Sequence, residues 1–254
     1  RRPSKVETSP EESEARVRAA FRSQAEWCRT LGSPFTSLLC ALAAERLDRS
    51  TSVGEAILSW QGDPDAKADS VPLRFAGALN GLVRKGRLPE LARLYPPNPL
   101  PNGEALWAGV AKALTTAGPE IEPWLDLAPQ TNEVGRSAVL LPGLLWLGSR
   151  VHLPLYLYEI GASAGLNLNL DRYHYRFGSR EWGDAAAVLT LTPQWRGAGP
   201  PDTVHLSIAA RTGCDANPLN LSDPAERDRL LAYVWPDQPE RLANLKAALA
   251  IATR

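Results

Sequence analysis

Leu153-Pro-Leu-Tyr-Leu-Tyr-Glu-Ile160 runs into Gly161-Ala-Ser-Ala-Gly165 and then Leu166-Asn-Leu-Asn-Leu-Asp171, and the architecture is read outward from there. The first piece is an apolar, β-favouring run without glycine, which predicts a strand buried on both faces. The second is a turn of small residues. The third returns to apolar spacing with Asn and Asp between, and predicts a short helix. Strand, glycine turn and helix together build a ligand site, because main chain approaches a ligand closely only where side chains are absent.

Downstream, Tyr173, Tyr175 and Phe177 alternate with His174 and Arg176, the period of a half-buried strand. Residues 178–183 turn, and Val188, Leu189, Leu191 and Trp195 predict a returning strand, so an inserted β-hairpin is expected, its aromatic rings packed inside. Val204, Leu206 and Ile208 alternate again and lead to Arg211-Thr-Gly-Cys-Asp215-Ala-Asn-Pro218. Ser222-Asp-Pro-Ala-Glu226 carries the chemistry of a helix start. Leu242, Leu245, Leu249 and Ile251 mark a last helix, and Trp235-Pro-Asp237 reads as the end of the one before.

Upstream, residues 1–13 are polar and read as a flexible tail. Residues 14–125 show helical spacing throughout and no strand signal, with Ser33 or Thr36 placed to cap the second helix. The remaining part, 126–254, is the α/β region. At its start, Gln130-Thr-Asn-Glu-Val-Gly-Arg136 gathers hydrogen-bonding side chains ahead of an apolar helix. Two readings stand: Thr131 or Asn132 caps that helix, or the cluster is a polar wall facing the glycine turn.

Composition narrows the function. Lys plus Arg and Asp plus Glu both number 28, so no basic excess points to nucleic acid or to a membrane surface. Cys28, Cys40 and Cys214 lie far apart, and His152, His174 and His205 complete no metal-ligand spacing with them. The longest apolar run, 138–148, is too short for a bilayer and carries Pro142, and the first residues, Arg-rich and soon acidic, lack the apolar core of a signal peptide. A cytoplasmic protein with a small-molecule substrate and no metal is expected. Methionine is absent, and the last residues form a helical pattern without a stop signal, so sequence is expected before Arg1 and beyond Arg254.

Two chemistries fit the glycine turn. Gly161-Ala-Ser163-Ala-Gly165 matches the G-x-S-x-G nucleophile elbow, where Ser163 would serve a serine hydrolase. That reading needs a later acid and histidine, and His174 and His205 both fall within strand patterns. Alternatively, Glu159-x-Gly161-x-Ser163-x-Gly165 sits at the carboxyl end of a parallel strand, where open α/β sheets bind ligands. Asp215, at the end of a second strand, is then the acid for ribose hydroxyls. The interval between them far exceeds the about 20 residues of a plain unit, and the hairpin accounts for the excess. A ligand without phosphates fits this turn better than a dinucleotide.

These two motifs resemble the first and second motifs of class I S-adenosylmethionine-dependent methyltransferases. More closely, Gln130 to Arg136, Glu159 to Asn169, Arg211 to Pro218 and Tyr233-Val-Trp-Pro-Asp-Gln238 resemble the bacterial family known as domain of unknown function 2332, over nearly the whole chain from Phe21. The resemblance implies a Rossmann-like methyltransferase fold with an α-helical N-terminal region and an inserted β-hairpin. It implies S-adenosylmethionine as cofactor and an unidentified small acceptor. Gly161, Ser163 and Gly165 would give main-chain access to the amino-acid end of the cofactor, Glu159 would meet its ammonium and Asp215 its ribose. Arg136 is suited to the cofactor carboxylate by its bidentate fork, and Asn132 joins the set through the polar wall. Ser163 stands where the methyltransferase motif has its middle glycine, and a side chain there narrows the site. Besides the hydrolase, a non-catalytic binding protein that retains the fold is the other reading.

Overall fold

Helix starts in the N-terminal half are written in proline and in short polar side chains. Pro10, Pro34 and Pro89 open α1 (Pro10–Thr30), α2 (Pro34–Arg46) and α5 (Pro89–Ala92), where the missing N–H is no loss. Ser9 caps α1, Thr51 caps α3 (Ser52–Leu58) and Asn102 caps α6 (Gly103–Thr116), each accepting a main-chain N–H at 2.8–3.2 Å. With α4 (Val71–Arg84) and α7 (Gly118–Leu125), these helices form the first of two units. The structure, a computed structural model, describes residues 9–253. Of the expected tail, 1–8 lie outside the described residues, and the part from Pro10 belongs to the first helix.

The helical unit runs to Pro129 and also takes in Ala232–Gln238, a membership that the sequence did not suggest. Its core holds Phe21 and Phe75 edge to face, their centroids 5.7 Å apart. Gly77 makes room for a late residue: a Cβ there would meet the Tyr233 ring at 2.4 Å. Asn80 donates its amide to the carbonyls of Ala232 (2.8 Å) and Val234 (3.0 Å). Asp237 then accepts the Phe35 N–H at 2.7 Å and the Ser33 hydroxyl. Ser33 holds the N-cap position of α2 as expected but makes no capping bond there; the side chain that satisfies this start is Asp237, which corrects the reading of Trp235-Pro-Asp237 as a mere helix end.

The second unit, Gln130–Leu231 with the chain from Pro239 onward, is mixed α/β. A 3-10 turn (Val134–Arg136) runs into α8 (Ser137–Gly148), followed by β1 (Leu155–Ile160) and a second 3-10 segment (Leu166–Arg172). A small sheet comes next: β2 (His174–Phe177) pairs antiparallel with β3 (Arg180–Trp182) and parallel with β4 (Thr190–Leu191). The expected hairpin is present, but its returning strand is 180–182. The apolar residues expected to return, 188–195, supply only the two-residue β4, alongside β2 in the same sense. The aromatic residues pack inside, and the Tyr173 and Tyr175 hydroxyls donate to the carbonyls of Leu166 and Leu170, at 2.5 and 2.7 Å.

Strand β5 (Ile208–Cys214) lies parallel to β1, with Glu159 opposite Gly213 and Ile160 opposite Cys214. α9 (Pro224–Ala232) and α10 (Pro239–Ala252) complete the elements. β1 is not buried on both faces: Leu155 and Leu157 are half-buried, whereas Tyr156, Tyr158 and Ile160 are 64%, 75% and 91% exposed. The 3-10 segment packs against both strands of this two-stranded sheet. About half of the chain is helical, and no described helix is long and apolar enough to cross a membrane.

Candidate functional site

The site is built at the carboxyl ends of β1 and β5. Gly161 and Gly165 take φ of +70° and +69°, the left-handed region that glycine enters without a steric penalty. Ser163 is held at φ +51° between them, which costs a residue with a Cβ about 1–2 kcal/mol. The turn docks on β5 through the Gly161 and Ala162 N–H groups, which both reach the Cys214 carbonyl, at 2.8 and 3.1 Å. Gly213 permits this approach, because a Cβ there would meet the Ala162 Cβ at 2.8 Å.

Asp215 joins the two strand ends. One carboxylate oxygen accepts the Ser163 N–H at 2.8 Å and the other the Asn217 N–H at 2.9 Å. These main-chain donors, Asn217 first and Ser163 next, hold the carboxyl below its ordinary range, so it is ionised at neutral pH. A carboxylate accepts about four hydrogen bonds, and Asp215 remains partly exposed, so capacity is left for a ligand's hydroxyls.

The polar cluster before α8 faces the turn. Gln130 accepts the Ser163 hydroxyl at 2.9 Å and donates to the Asn217 carbonyl at 3.0 Å, binding both strand-end turns to one amide. Asn132 accepts the Leu166 N–H at 3.0 Å. Asn132 is therefore part of a polar wall and not a helix cap. The group that accepts a main-chain N–H at the 3-10 turn is Glu133, which bonds the Gly135 N–H at 3.1 Å and pairs with Arg241 at 2.5 Å.

Glu159 carries the sharpest electrostatic signal. One of its oxygens meets the Asn167 amide at 3.4 Å, while Oε2 is buried with no partner among the described residues. Burial pushes the carboxyl above its ordinary value, against the Asn167 amide and the Arg136 charge, which lower it. Arg136 is exposed and makes no ion pair among the described residues, so a free guanidinium stands within electrostatic reach of an orphan carboxylate oxygen. Asn167 also accepts the Ser137 hydroxyl at 2.8 Å. The sequence reading missed Asn167, although a polar residue inside the alternating Leu-Asn-Leu-Asn run is its signal.

Every residue expected at the site thus lies in this unit: Glu159, Gly161, Ser163, Gly165 and Asp215 around the two strand ends, Asn132 bonded to the turn's last step, and Arg136 near Glu159. Of the histidines, buried His174 is bonded elsewhere and faces Thr190 and Glu181, at 3.3 and 3.4 Å. The model of a bacterial family described as "Uncharacterized protein conserved in bacteria (DUF2332)" matches residues 18–254, and the chain belongs to that family. No curated protein and no solved structure matches it.

Proposed function

We propose that this family member binds S-adenosylmethionine at the ends of β1 and β5 and moves its methyl group to a small acceptor, on a Rossmann-like methyltransferase fold. The observation that carries the reading is Asp215 bonded across to the glycine turn of a parallel neighbour, the strand-end geometry at which open α/β sheets bind ligands. The orphaned Glu159 Oε2 fits the group as well: an ammonium would satisfy it, and the free Arg136 would take the carboxylate of the same amino-acid end. Asp215 would hold the ribose hydroxyls with its remaining acceptor sites. When bound, S-adenosylmethionine supplies an electrophilic methyl group, and the chain's contribution is to orient and to exclude water.

Ser163 does not obstruct this reading, since its hydroxyl is turned to Gln130 and is 9% exposed as a residue. The same bond weakens the serine hydrolase reading, because the hydroxyl meets an amide in place of a histidine base. Isothermal calorimetry with S-adenosylmethionine tests the proposal. Saturable heat that falls at least about tenfold in affinity for Asp215→Ala and for Arg136→Glu is expected. No heat from a folded protein would overturn it, and binding without transfer to any acceptor would leave a binding protein.

A further inference from the structure

Beside the turn lies a cleft of about 400 Å³ whose apolar walls the cofactor reading does not use. Leu140 and Leu144 of α8, Leu157 of β1, and Leu168 and Leu170 of the 3-10 segment line it, and Glu159 is its one charged residue. Small-molecule sites are apolar clefts of about 300–1,000 Å³ with a few placed polar groups, and this one has that size and make-up. The Glu159 carboxylate meets only one donor, the Asn167 amide at 3.4 Å, so it keeps acceptor capacity for more than one ligand group. An anion would be repelled there, and a purely apolar molecule would leave the oxygen unsatisfied.

We infer that this cleft is the acceptor site, and that the acceptor is a small, mostly apolar molecule whose single hydroxyl donates to the Glu159 carboxylate. The inference rests on the methyltransferase reading for the word acceptor, and on the cleft alone for the class of molecule. The leucines account for the apolar body of the ligand. The carboxylate accounts for its one polar group.

Fluorescence titration with 2-naphthol and with 2-methoxynaphthalene, alongside calorimetry with S-adenosylmethionine on the same protein, tests this. Saturable 2-naphthol binding is expected, at least about tenfold tighter than for the ether, which has no hydrogen to donate. Leu144→Asp should weaken 2-naphthol at least about tenfold and leave the S-adenosylmethionine heat unchanged. Should that variant fail to fold, Leu140→Asp at an exposed position makes the same test. No saturable binding, or equal binding of both naphthalenes, overturns the inference. Naphthol binding without any S-adenosylmethionine heat upholds the apolar ligand class and overturns the methyltransferase reading; the reverse pattern overturns the cleft alone.

Discussion

Asp215 accepts the main-chain N–H of Ser163 at 2.8 Å, so a carboxylate at the end of one strand holds the turn that follows its neighbour. The other oxygen holds the Asn217 N–H at 2.9 Å, which keeps the carboxylate itself in place. Deleting the side chain leaves both donors without their acceptor. Asp215→Ala should lose roughly 1–3 kcal/mol of stability in urea unfolding, and Asp215→Asn, which keeps one acceptor oxygen, should lose less.

The same contacts give a pH dependence with a definite sign. Asp215 is held below its ordinary value in the folded state, chiefly by the Asn217 N–H. Its contribution is therefore complete above the unfolded value of about 3.9 and disappears as pH falls through the folded value. Melting curves of wild type and Asp215→Asn should keep a constant separation from neutral pH down to about pH 4 and converge below it.

Glu159 behaves in the opposite way. Burial raises its folded value, so the folded state is favoured by protonation, and that advantage, full below about pH 4.3, is lost as pH rises through the folded value. Glu159→Gln should gain stability over wild type at pH 7 and none near pH 4. The gain should stay below about 1 kcal/mol, because the carboxyl is only partly buried and solvent screens it. Equal differences at both pH values would count against an orphaned carboxylate.

Ser163 combines a strained main chain with a buried hydroxyl bond to Gln130. Ser163→Ala keeps the strain and strands the Gln130 oxygen, and should cost about 1–2 kcal/mol. Ser163→Gly loses the same bond but relieves the left-handed strain, and should fall within about 1 kcal/mol of wild type. Denaturant midpoints of the two variants decide it: a glycine variant less stable than the alanine one would contradict the geometry.

In the helical unit, Asp237 satisfies the Phe35 N–H in the first turn of α2. Asp237→Ala should destabilise by about 1–2 kcal/mol, the usual loss for removing a helix cap. The increase in hydrogen exchange should concentrate in the first turn of α2. A change confined to the 232–238 segment would show that Asp237 serves only its own stretch.

The features set by neighbours in sequence were legible from the residues alone. Apolar spacing marked the helices of 14–125, and the glycines of 161–165 marked the turn. Asp215 was picked out by its place after an alternating run. Each of these depends on the conformation of a few consecutive residues, which side-chain shape and main-chain hydrogen bonding dictate locally.

The rest needed the chain to come together. The cluster before α8 read either as a cap by Thr131 or Asn132 or as a polar wall, and only the approach of Ser163 to Gln130 and of Leu166 to Asn132 chose the wall. Asp237 looked like the end of its own helix until it reached the start of another, some two hundred residues earlier in the chain. The alternation of β1 shows an apolar face but not what covers it, so the exposure of Tyr156, Tyr158 and Ile160 was invisible. Hydrogen-bond partners and burial belong to pairs of residues brought together by packing, and a local pattern names only one member of each pair.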